Sequence, residues 1–336
     1  MTHNLFPTVY IRVSTDLAAD GGHLSRMLAL RQGLKGLVKW FVDPGTKSAF
    51  KKRFSKTDEV FEEAMIDSIV KLQSIIGADT DSLIICDSYK VRYEEIAAAN
   101  VPAVYFHDSD VRSSSDNVVI VNCQPRAKAW KNCLSGPGYM PVDTKGKQQV
   151  RADFSCVSHP INCLIGFGTV DSRNMMAVAL NALLSDQRLK ETVQPVCLIG
   201  PHFQQCEIVE TLLSAFSQSK IIRNCQSVLE LPFLCDIAIG APGVSHAERL
   251  YAGIPTVLVP QSESHRALCM NWHDEGCALY AGPEPKHIAS QINALIANKF
   301  DRARAISHEG QRVIDGKGVS RIVAELALRG QSIGPL

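Results

Sequence analysis

The feature that most constrains this fold is an alternation of short apolar runs with amphipathic segments, which occurs twice. In the first half, the runs predict strands at 9–13, 37–42, 83–86, 103–106 and 118–121. In the second half, they predict strands at 163–167, 196–199, 220–222, 237–239, 256–259 and 277–280. Wholly apolar strands that alternate with helices are typical of parallel sheets covered on both faces. The sequence therefore predicts an α/β fold with two doubly wound, Rossmann-like domains that face a cleft.

Helical periodicity and one polar stretch complete this organisation. Residues 59–76 and residues 173–184 place apolar side chains at close to a 3.6-residue period, which predicts helices. At 336 residues the chain is longer than one hydrophobic core usually serves. Because a polar stretch surrounds residues 143–160, we expect one domain over 1–150 and another over 151–336. The final helix is a candidate to pack back on the first domain.

Charge and cysteine usage narrow the class of function. The chain has 35 Lys and Arg against 34 Asp and Glu, so a nucleic-acid partner is not indicated. Eleven cysteines without a C-x-x-C pair favour buried free thiols in a reducing compartment over disulfides or a zinc site. The first ten residues, MTHNLFPTVY, lack a secretory signal, and no apolar stretch reaches the roughly 20 residues that span a bilayer. These features predict a cytoplasmic protein without stable membrane insertion.

Four polar loops follow predicted strands, where doubly wound domains bind ligands. They are STDLAADGGHLSR, GFGTVDSRN, GAPGVSHAE and PQSESHR. The first three lead into predicted helices, whose first backbone amides would hold an anion such as a diphosphate. The glycines match neither the dinucleotide nor the P-loop fingerprint, so tight turns alone would also explain them. Glu248 would accept the hydroxyls of a ribose, or would be an ordinary first-turn glutamate.

The order of the motifs resembles that of the UDP-2,4-diacetamido-2,4,6-trideoxy-altrose hydrolases of pseudaminic acid biosynthesis. The segments that carry the resemblance are IRVSTDLAADGGHLSR, LIICDSY, YFHD, LSGPGYMPVD, LIGFGTVDSRN and IGAPGVSHAERLYAGIPTVLVP. These hydrolases are GT-B proteins related to the N-acetylglucosaminyl transferase that forms lipid II. The resemblance implies a monomer of GT-B architecture that takes a UDP-sugar and needs neither a cofactor nor a metal.

The resemblance also implies roles for individual residues. His23 would be the base that activates water, with Asp87 and Tyr89 as further catalytic residues on a loop that faces the sugar. The substrate- and nucleotide-binding residues that it implies are Gly22, Arg26, Gly168, Thr169, Asp171, Gly243, Val244, Ser245, Glu248 and His265. From the residues alone, there is a structural alternative for each: His23 would be a cap at the start of a helix, and Asp87 would be a turn residue. His107 and Asp108 would either line the cleft or satisfy their own loop.

Several positions depart from the family pattern. Glycine is usual where Asp20 and Thr169 stand, and an acidic residue is usual at Ser14, although Asp16 is close. Pro242 interrupts the glycine-rich turn before Glu248. Ser264-His265 replaces an Asn-Gln pair in the loop that reaches the sugar hydroxyls. With these changes, the substrate could carry a different sugar and the protein could catalyse a different reaction.

Three classes of function remain after this comparison. Hydrolysis at an anomeric carbon needs a base for water and compensation for the charge that grows on the leaving UDP. Histidine suits the first task because imidazole titrates near neutral pH, and a helix starting near Val244 would serve the second. A GT-B glycosyltransferase would deprotonate a glycan, lipid or protein acceptor instead, with FKKRF at 50–54 as a weak membrane patch. A non-catalytic binder of sugar nucleotides is the third class.

Overall fold

Two separate parallel sheets organise the chain in the computed structural model. The residues that the structure describes are 6–15, 21–62, 81–99, 101–144, 154, 160–200, 202–223, 225, 227–231 and 235–332. The chain divides into a first unit, Met1–Asp143 with Gly316–Leu336, and a second unit, Thr144–Asp315. The end of the chain therefore belongs to the first unit, and the second unit is inserted between its two parts.

The first unit contains a sheet of seven strands in the order β3-β2-β1-β4-β5-β6-β7, with every neighbouring pair parallel. The strands are β1 Thr8–Val13, β2 Leu37–Val42, β3 Glu59–Glu62, β4 Leu83–Asp87, β5 Ala103–Phe106, β6 Val118–Asn122 and β7 Cys133–Ser135. Its described helices are α1 Gly22–Arg31, α2 Thr46–Ala49, α3 Tyr93–Ala97, a 3₁₀ turn Pro137–Tyr139, and, at the end of the chain, α11 Gly318–Ser332.

The second unit contains a parallel sheet of six strands in the order β10-β9-β8-β11-β12-β13. The strands are β8 Ile161–Gly166, β9 Val193–Ile199, β10 Lys220–Arg223, β11 Ile237–Gly240, β12 Thr256–Leu258 and β13 Leu279–Tyr280. The described helices are α4 Met175–Leu184, α5 Gln187–Thr192, α6 Cys206–Leu213, α7 Val244–Tyr251, α8 Glu263–Asp274, α9 Pro285–Ile296 and α10 Asp301–Val313. Two 3₁₀ turns, Val228–Glu230 and Asn298–Phe300, complete the element order.

Both sheets follow the strand order of doubly wound nucleotide-binding folds. In each sheet the order reverses beside the first strand, between β1 and β4 in the first unit and between β8 and β11 in the second. Connections leave the two strands of such a pair on opposite sides, and a crevice opens at their carboxyl ends. The two reversal points are therefore the places where each unit can bind a ligand.

The central strands are apolar because the sheet buries both of their faces. Every residue of β4, β5 and β6 is buried, and β11 is buried along its whole length. A continuous apolar core in the second unit joins β8, β9 and β11 to α4 and α9. This pattern confirms the α/β class that the alternating apolar runs predict.

The structure corrects one predicted helix and refines several strands. The interval 59–76 was expected to be helical, but Glu59–Glu62 forms β3, which pairs with β2; the rest lies outside the described residues. None of the four residues of β3 is buried, as suits a strand at the edge of the sheet, although the longer window has helical spacing. The short strand β7 was missed, and β13 covers only half of the predicted run 277–280. The helix predicted over 173–184 is confirmed as α4.

Close backbone contacts attach α11 to the first unit. A Cβ on Gly318 would stand 2.2 Å from the carbonyl oxygen of Met140, so only glycine fits where the helix begins. Arg321 Nη1 donates to the carbonyl oxygen of Gly138 at 2.8 Å. Gly33, just after α1, lies against Val319 in the same way.

Candidate active site

The candidate base lies at the start of the helix that follows the first strand. Gly21 adopts φ 69°, a left-handed conformation that favours glycine, and α1 begins at the next residue, Gly22. His23 is the second residue of α1 and is 6% exposed. Arg26 is three residues further along, so both side chains lie on the same face of the helix. The predicted position of His23 at a strand-to-helix turn is therefore confirmed.

Asp87 joins these two side chains. It is the last residue of β4, fully buried, and lies beside Val13 at the end of β1. Its Oδ1 lies 2.5 Å from His23 Nδ1, and Arg26 donates from Nε to Oδ2 and from Nη2 to Oδ1, both at 2.6 Å. A bidentate arginine leaves the carboxylate little freedom to rotate. The carboxylate is thus fixed where it meets the imidazole.

A second carboxylate continues the cluster on the next strand. Asp108, two residues after β5, accepts from Arg26 Nη1 at 2.9 Å and from the Tyr89 hydroxyl at 2.5 Å. Gln124, two residues after β6, donates to the same carboxylate at 2.9 Å. Three neighbouring strands therefore each contribute one polar side chain. We call His23, Arg26, Asp87, Tyr89, Asp108 and Gln124 the Asp87 cluster.

The cluster holds two carboxylates around one guanidinium. Burial raises the pKa of Asp87, but Arg26 and then His23 outweigh it and bring the pKa below its ordinary value. The same competition between burial and Arg26 lowers the pKa of Asp108. Burial opposes the charge of Arg26, yet Asp108 and Asp87 raise its pKa well above the ordinary value. At neutral pH these three groups carry a net charge of −1.

This arrangement fixes which nitrogen of His23 can act as a base. An ionised carboxylate only accepts hydrogen bonds, so Nδ1 donates its hydrogen to Asp87 and the lone pair of the neutral ring lies on Nε2. The Tyr89 ring meets the imidazole edge to face, with the ring centroids 4.6 Å apart. Tyr89 as a whole residue is 60% exposed. Desolvation of its hydroxyl and the negative charge of Asp108 raise the pKa of that hydroxyl. Tyr89 is therefore a neutral hydrogen-bonding group rather than a base.

A neighbouring polar network, which the sequence analysis missed, supports the same edge of the sheet. Asp43, just after β2, accepts from Arg12 Nη2 at 3.2 Å and from the backbone N–H of Thr15 at 2.6 Å. Lys90 Nζ reaches the same carboxylate at 3.3 Å. Ser14, at the position where the resembling family has an acidic residue, instead pairs with the hydroxyl of Ser88 at 2.7 Å. Asp20 and Asp16 lie outside the described residues.

In the second unit, glycines mark the reversal point between β8 and β11. Gly166 and Gly240 end these strands and lie side by side. Gly168 follows β8 with φ 84°, and a Cβ on Gly200 would come within 2.5 Å of Thr169 Cα. These contacts explain why the chain is glycine-rich here, although they give no separate role to the Thr169 side chain.

The loop after β11 leads directly into α7. Gly243 precedes the helix without a side-chain cap, Val244 is its first residue, and Ser245 is exposed. A Cβ on Gly243 would meet no atom within 4 Å, so this residue borders open space. The first amides of α7 and the carboxyl ends of β8 and β11 therefore meet at one edge of the second sheet.

Three other predicted binding residues of the second unit lie at or in three different helices. Both oxygens of Asp171 accept backbone hydrogens at the start of α4, from Met175 at 2.8 Å and from Met176 at 2.9 Å. Glu248 lies in α7, is 7% exposed, and its Oε2 accepts the N–H of Val228 at 3.0 Å. His265 lies in the first turn of α8, after the Ser262 cap. Asp171 thus has a clear structural function, and its binding role stays a prediction.

The chain contains an Asp-x-Asp pair after β5, which bears on the expectation that no metal is bound. Asp108 is held by Arg26, and Asp110 accepts from the backbone N–H of Lys128 at 3.1 Å, with Lys128 Nζ 3.7 Å away. Each of the two carboxylates is therefore close to a cationic side chain. In the part of the chain that the structure describes, no three His, Cys, Asp or Glu side chains form a potential metal site.

Comparison with solved structures defines the class of fold. The chain matches the calicheamicin glycosyltransferase CalG4 with a TM-score of 0.66 at 14% identity, covering 98% of this chain and 100% of that one. It matches MurG of Acinetobacter baumannii with a TM-score of 0.62 at 15% identity, covering 94% and 98% of the two chains. A UDP complex of S. aureus MnaA matches with a TM-score of 0.66 at 13% identity, over 98% of each chain. The chain has the GT-B glycosyltransferase fold.

Sequence comparison adds two relatives. The spore coat polysaccharide biosynthesis protein SpsG of Bacillus subtilis is 22% identical over 336 aligned residues, covering 92% of this chain and 96% of that protein. An uncharacterised protein of Methanocaldococcus jannaschii is 35% identical over 108 residues, which is 31% of this chain but only 22% of that protein. No protein-family model matches the chain. Within the described residues, no helix has the length and apolar character needed to cross a membrane.

Proposed function

We propose that this protein hydrolyses a UDP-linked 2,4-diacetamido-2,4,6-trideoxy sugar at its anomeric carbon. Water attacks the anomeric carbon, and the bond from that carbon to the UDP oxygen breaks. His23 Nε2 takes one proton of the water, and UDP leaves with the bonding electron pair. The products are the free sugar, a precursor of a nonulosonic acid of the pseudaminic type, and UDP. An acid of this type would be used in the glycosylation of flagellin or of surface glycans.

The observation that carries this proposal is the pairing of His23 with Asp87 at a ligand-binding edge of the sheet. Asp87 holds the ring in the tautomer that leaves Nε2 as the acceptor, and it stabilises the imidazolium formed when the water is deprotonated. Arg26 fixes Asp87 in turn. A positioned general base typically contributes about 10²–10⁴ in rate.

Support for a nucleotide comes from the second unit and from the relatives. The start of α7 has no side-chain cap, and its helix dipole is favourable for a diphosphate. Structures with the same fold include one described as a complex with UDP and one described as a complex with UDP-glucose. SpsG is described as a polysaccharide biosynthesis protein, which agrees with a sugar nucleotide as substrate. Glu248 remains our candidate for the ribose hydroxyls.

The test is UDP release from a panel of UDP-sugars incubated without an acceptor. We expect release by the wild type and a loss of at least about 10²-fold in kcat for His23→Ala. His287→Ala is the matched control, because that histidine is exposed and pairs with Glu284 on α9 in the second unit. In ¹⁸O-labelled water, the label should enter the free sugar and not UDP. No release above that of His23→Ala with any donor would contradict the proposal.

A glycosyltransferase is the second candidate, favoured by the matches to CalG4 and MurG. In that case His23 would deprotonate an acceptor hydroxyl, and the sugar would form a new glycosidic bond. UDP release that requires an added glycan, lipid or protein acceptor, with no label entering from water, would establish the transferase. UDP binding without turnover under either condition would favour the non-catalytic binder.

The assignment of the nucleotide has its own test. Calorimetry should detect UDP binding by the wild type, and Glu248→Ala should weaken it by about tenfold, the equivalent of about 1.4 kcal/mol. Glu248→Gln keeps an oxygen that can accept the Val228 N–H, so it separates loss of the carboxylate from loss of that structural contact. Unchanged UDP affinity in both variants would remove Glu248 from the binding site.

A further inference from the structure

The second unit contains a buried arginine for which the described residues provide no ion pair. Arg249, on α7, is 1% exposed. Its Nε donates to the Thr256 hydroxyl at 3.2 Å, and its Nη2 donates to the carbonyl oxygen of Ala241 at 2.7 Å. Neither acceptor is charged. Among the described residues, no carboxylate forms an ion pair with this guanidinium.

The guanidinium lies beside the last residue of β11, at the reversal point of the second sheet. A Cβ on Gly240 would stand 3.0 Å from Arg249 Nη1 and 3.2 Å from Cζ, so the planar group packs directly on this glycine. Gly240 in turn pairs with Gly166 at the end of β8. The loop that Arg249 holds through Ala241 is the one that leads to the exposed start of α7.

The charge persists at neutral pH although the site is buried. Burial lowers the pKa of Arg249 to about 10, against the attraction of Glu248 and Cys269. Burial and the charge of Arg249 lower the pKa of the neighbouring His246 well below its ordinary value. His246 is therefore uncharged, and its two ring nitrogens have no hydrogen-bond partner. Arg249 is left as the source of positive charge beneath this loop.

Although Glu248 attracts it, a buried guanidinium whose described hydrogen-bond acceptors are neutral is costly unless a further anion offsets its charge. Removing a guanidinium from water carries a large desolvation penalty, which a nearby anion offsets most effectively in a medium of low dielectric. The surrounding backbone agrees with an anion, since α7 directs its positive dipole end toward the same loop. The two features are independent, because one is a side chain from the middle of the helix and the other is the helix start.

We propose that Arg249 is the electrostatic support of an anion site for the diphosphate of a sugar nucleotide, at the glycine-lined end of β8 and β11. This inference rests on the proposed function for the nucleotide, but its core claim concerns the diphosphate alone. Arg249 acts from beneath the loop and is a positioning residue. Its positive potential favours the diphosphate in the bound substrate and also in the leaving group, where negative charge increases.

Charge-conserving and charge-removing variants test this assignment. UDP, uridine and inorganic pyrophosphate would be titrated calorimetrically into the wild type, Arg249→Met and Arg249→Lys. We expect Arg249→Met to weaken binding of UDP and pyrophosphate at least tenfold while uridine binding changes less than threefold. Arg249→Lys should retain affinity for both phosphate ligands within about threefold of wild type, because the charge remains. Arg312→Met is the matched control, since this arginine on α10 is exposed and pairs with Glu309 of the same helix.

The comparison of the two variants remains decisive if both lose stability. If Arg249 only held Ala241 and Thr256 in place, the lysine and methionine variants would lose affinity equally, and the proposal would be overturned. Unchanged UDP and pyrophosphate affinity in Arg249→Met would overturn it as well. A wild type that binds pyrophosphate through Arg249 but turns over no UDP-sugar would refute the proposed function alone. A wild type that binds none of these phosphate ligands would refute both.

Discussion

The two units contain buried arginines at corresponding points of their sheets, in opposite electrostatic settings. Arg26 lies beside the end of β4 and is enclosed by the carboxylates of Asp87 and Asp108. Arg249 lies beside the end of β11 and has only neutral acceptors within hydrogen-bond distance. In both sheets the strand involved borders the reversal point. The same fold therefore encloses a buried arginine between two contacting carboxylates in one unit, and gives it neutral hydrogen-bond acceptors and the more distant attraction of Glu248 in the other.

This difference shows how two units of one architecture could support two tasks of a reaction, proton acceptance and anion binding. A net negative cluster stabilises the imidazolium that forms when a histidine accepts a proton. An uncompensated guanidinium favours a bound anion. The topology supplies the places, and the charge of a few side chains at the strand ends decides what each place does.

The largest expected effect comes from neutralising the carboxylate that orients the base. We expect Asp87→Asn to lower kcat for UDP release by about 10³–10⁴, because an amide can hold His23 in the wrong tautomer. Asp58→Asn is the matched control. Asp58 is likewise a buried carboxylate with an arginine partner, Arg31, but it lies at the opposite end of α1. Equal losses in both variants would mean that the effect is structural rather than catalytic.

Removing each arginine in turn should change the free energy of unfolding by very different amounts. Arg26→Met leaves Asp87 and Asp108 buried without their cation, and we expect a loss of about 3–5 kcal/mol in the free energy of unfolding. Arg249→Met removes a buried unpaired charge and leaves one carbonyl and one hydroxyl without a donor, so we expect a change of less than about 1.5 kcal/mol. Urea unfolding of both variants measures the difference. Similar losses would show that the two settings are energetically alike.

A smaller effect should follow from removing the second carboxylate. Asp108→Asn brings the net charge of Asp87, Arg26 and residue 108 from −1 to zero and replaces one of the two oxygens that accept from Arg26 and Tyr89 with an amide nitrogen. We expect kcat to fall by about tenfold, the equivalent of about 1.4 kcal/mol, because the imidazolium loses electrostatic support. The acid limb of the pH–rate profile should move to lower pH. A fall in kcat without this movement would assign Asp108 a packing role only.

The Asp108→Asn variant also tests how the two carboxylates affect the stability of the first unit at acid pH. The pKa values of Asp87 and Asp108 are lowered in the folded protein, so the unfolded chain takes up protons first as the pH falls. Their contribution is complete above the ordinary aspartate pKa of about 3.9 and is lost as the pH falls below it. Thermal unfolding between about pH 2 and 6 should therefore show a shallower decline for Asp108→Asn. An identical slope in the two proteins would contradict this coupling.

The smallest effect is expected at the exposed edge of the cluster. Tyr89→Phe removes a hydroxyl but keeps the ring against His23. Because Tyr89 is 60% exposed, we expect little change in Tm. We expect KM for the UDP-sugar to rise by about threefold, because the bound sugar would lose one hydrogen bond of about 0.7 kcal/mol to this hydroxyl. A large fall in kcat with unchanged KM would instead give Tyr89 a part in the chemical step.

The sequence predicted the elements of the fold better than the partners within the site. Apolar runs locate the central strands because the sheet buries both of their faces, whereas the edge strands β3 and β7 carry no such signal. His23, Arg26 and Asp87 were predicted through a resemblance, and the structure brings them together. Asp108 was named without a partner, although its position just after a strand was the available signal.

Other partners could not be predicted because they depend on strand order. Asp108 and Gln124 come from 82 and 98 positions beyond Arg26, and only the order β4-β5-β6 makes them neighbours. Arg249 looked like an ordinary helix residue, because a linear sequence does not indicate whether a guanidinium finds a carboxylate. The structural contacts of Asp171 had no signal in the sequence, since a carboxylate in a glycine-containing loop can serve a helix start as well as a ligand.

The position of α11 has a practical consequence for dividing the molecule. The first unit is encoded by two separated stretches, and Gly318 and Arg321 contact the backbone around Gly138 and Met140. The second unit is one uninterrupted stretch, Thr144–Asp315. A gene fragment for the second unit can therefore be cut out as a single piece, whereas the first requires a new peptide link between residues near 143 and 316. The two units can therefore be produced as separate proteins only if this new link is built into the first one.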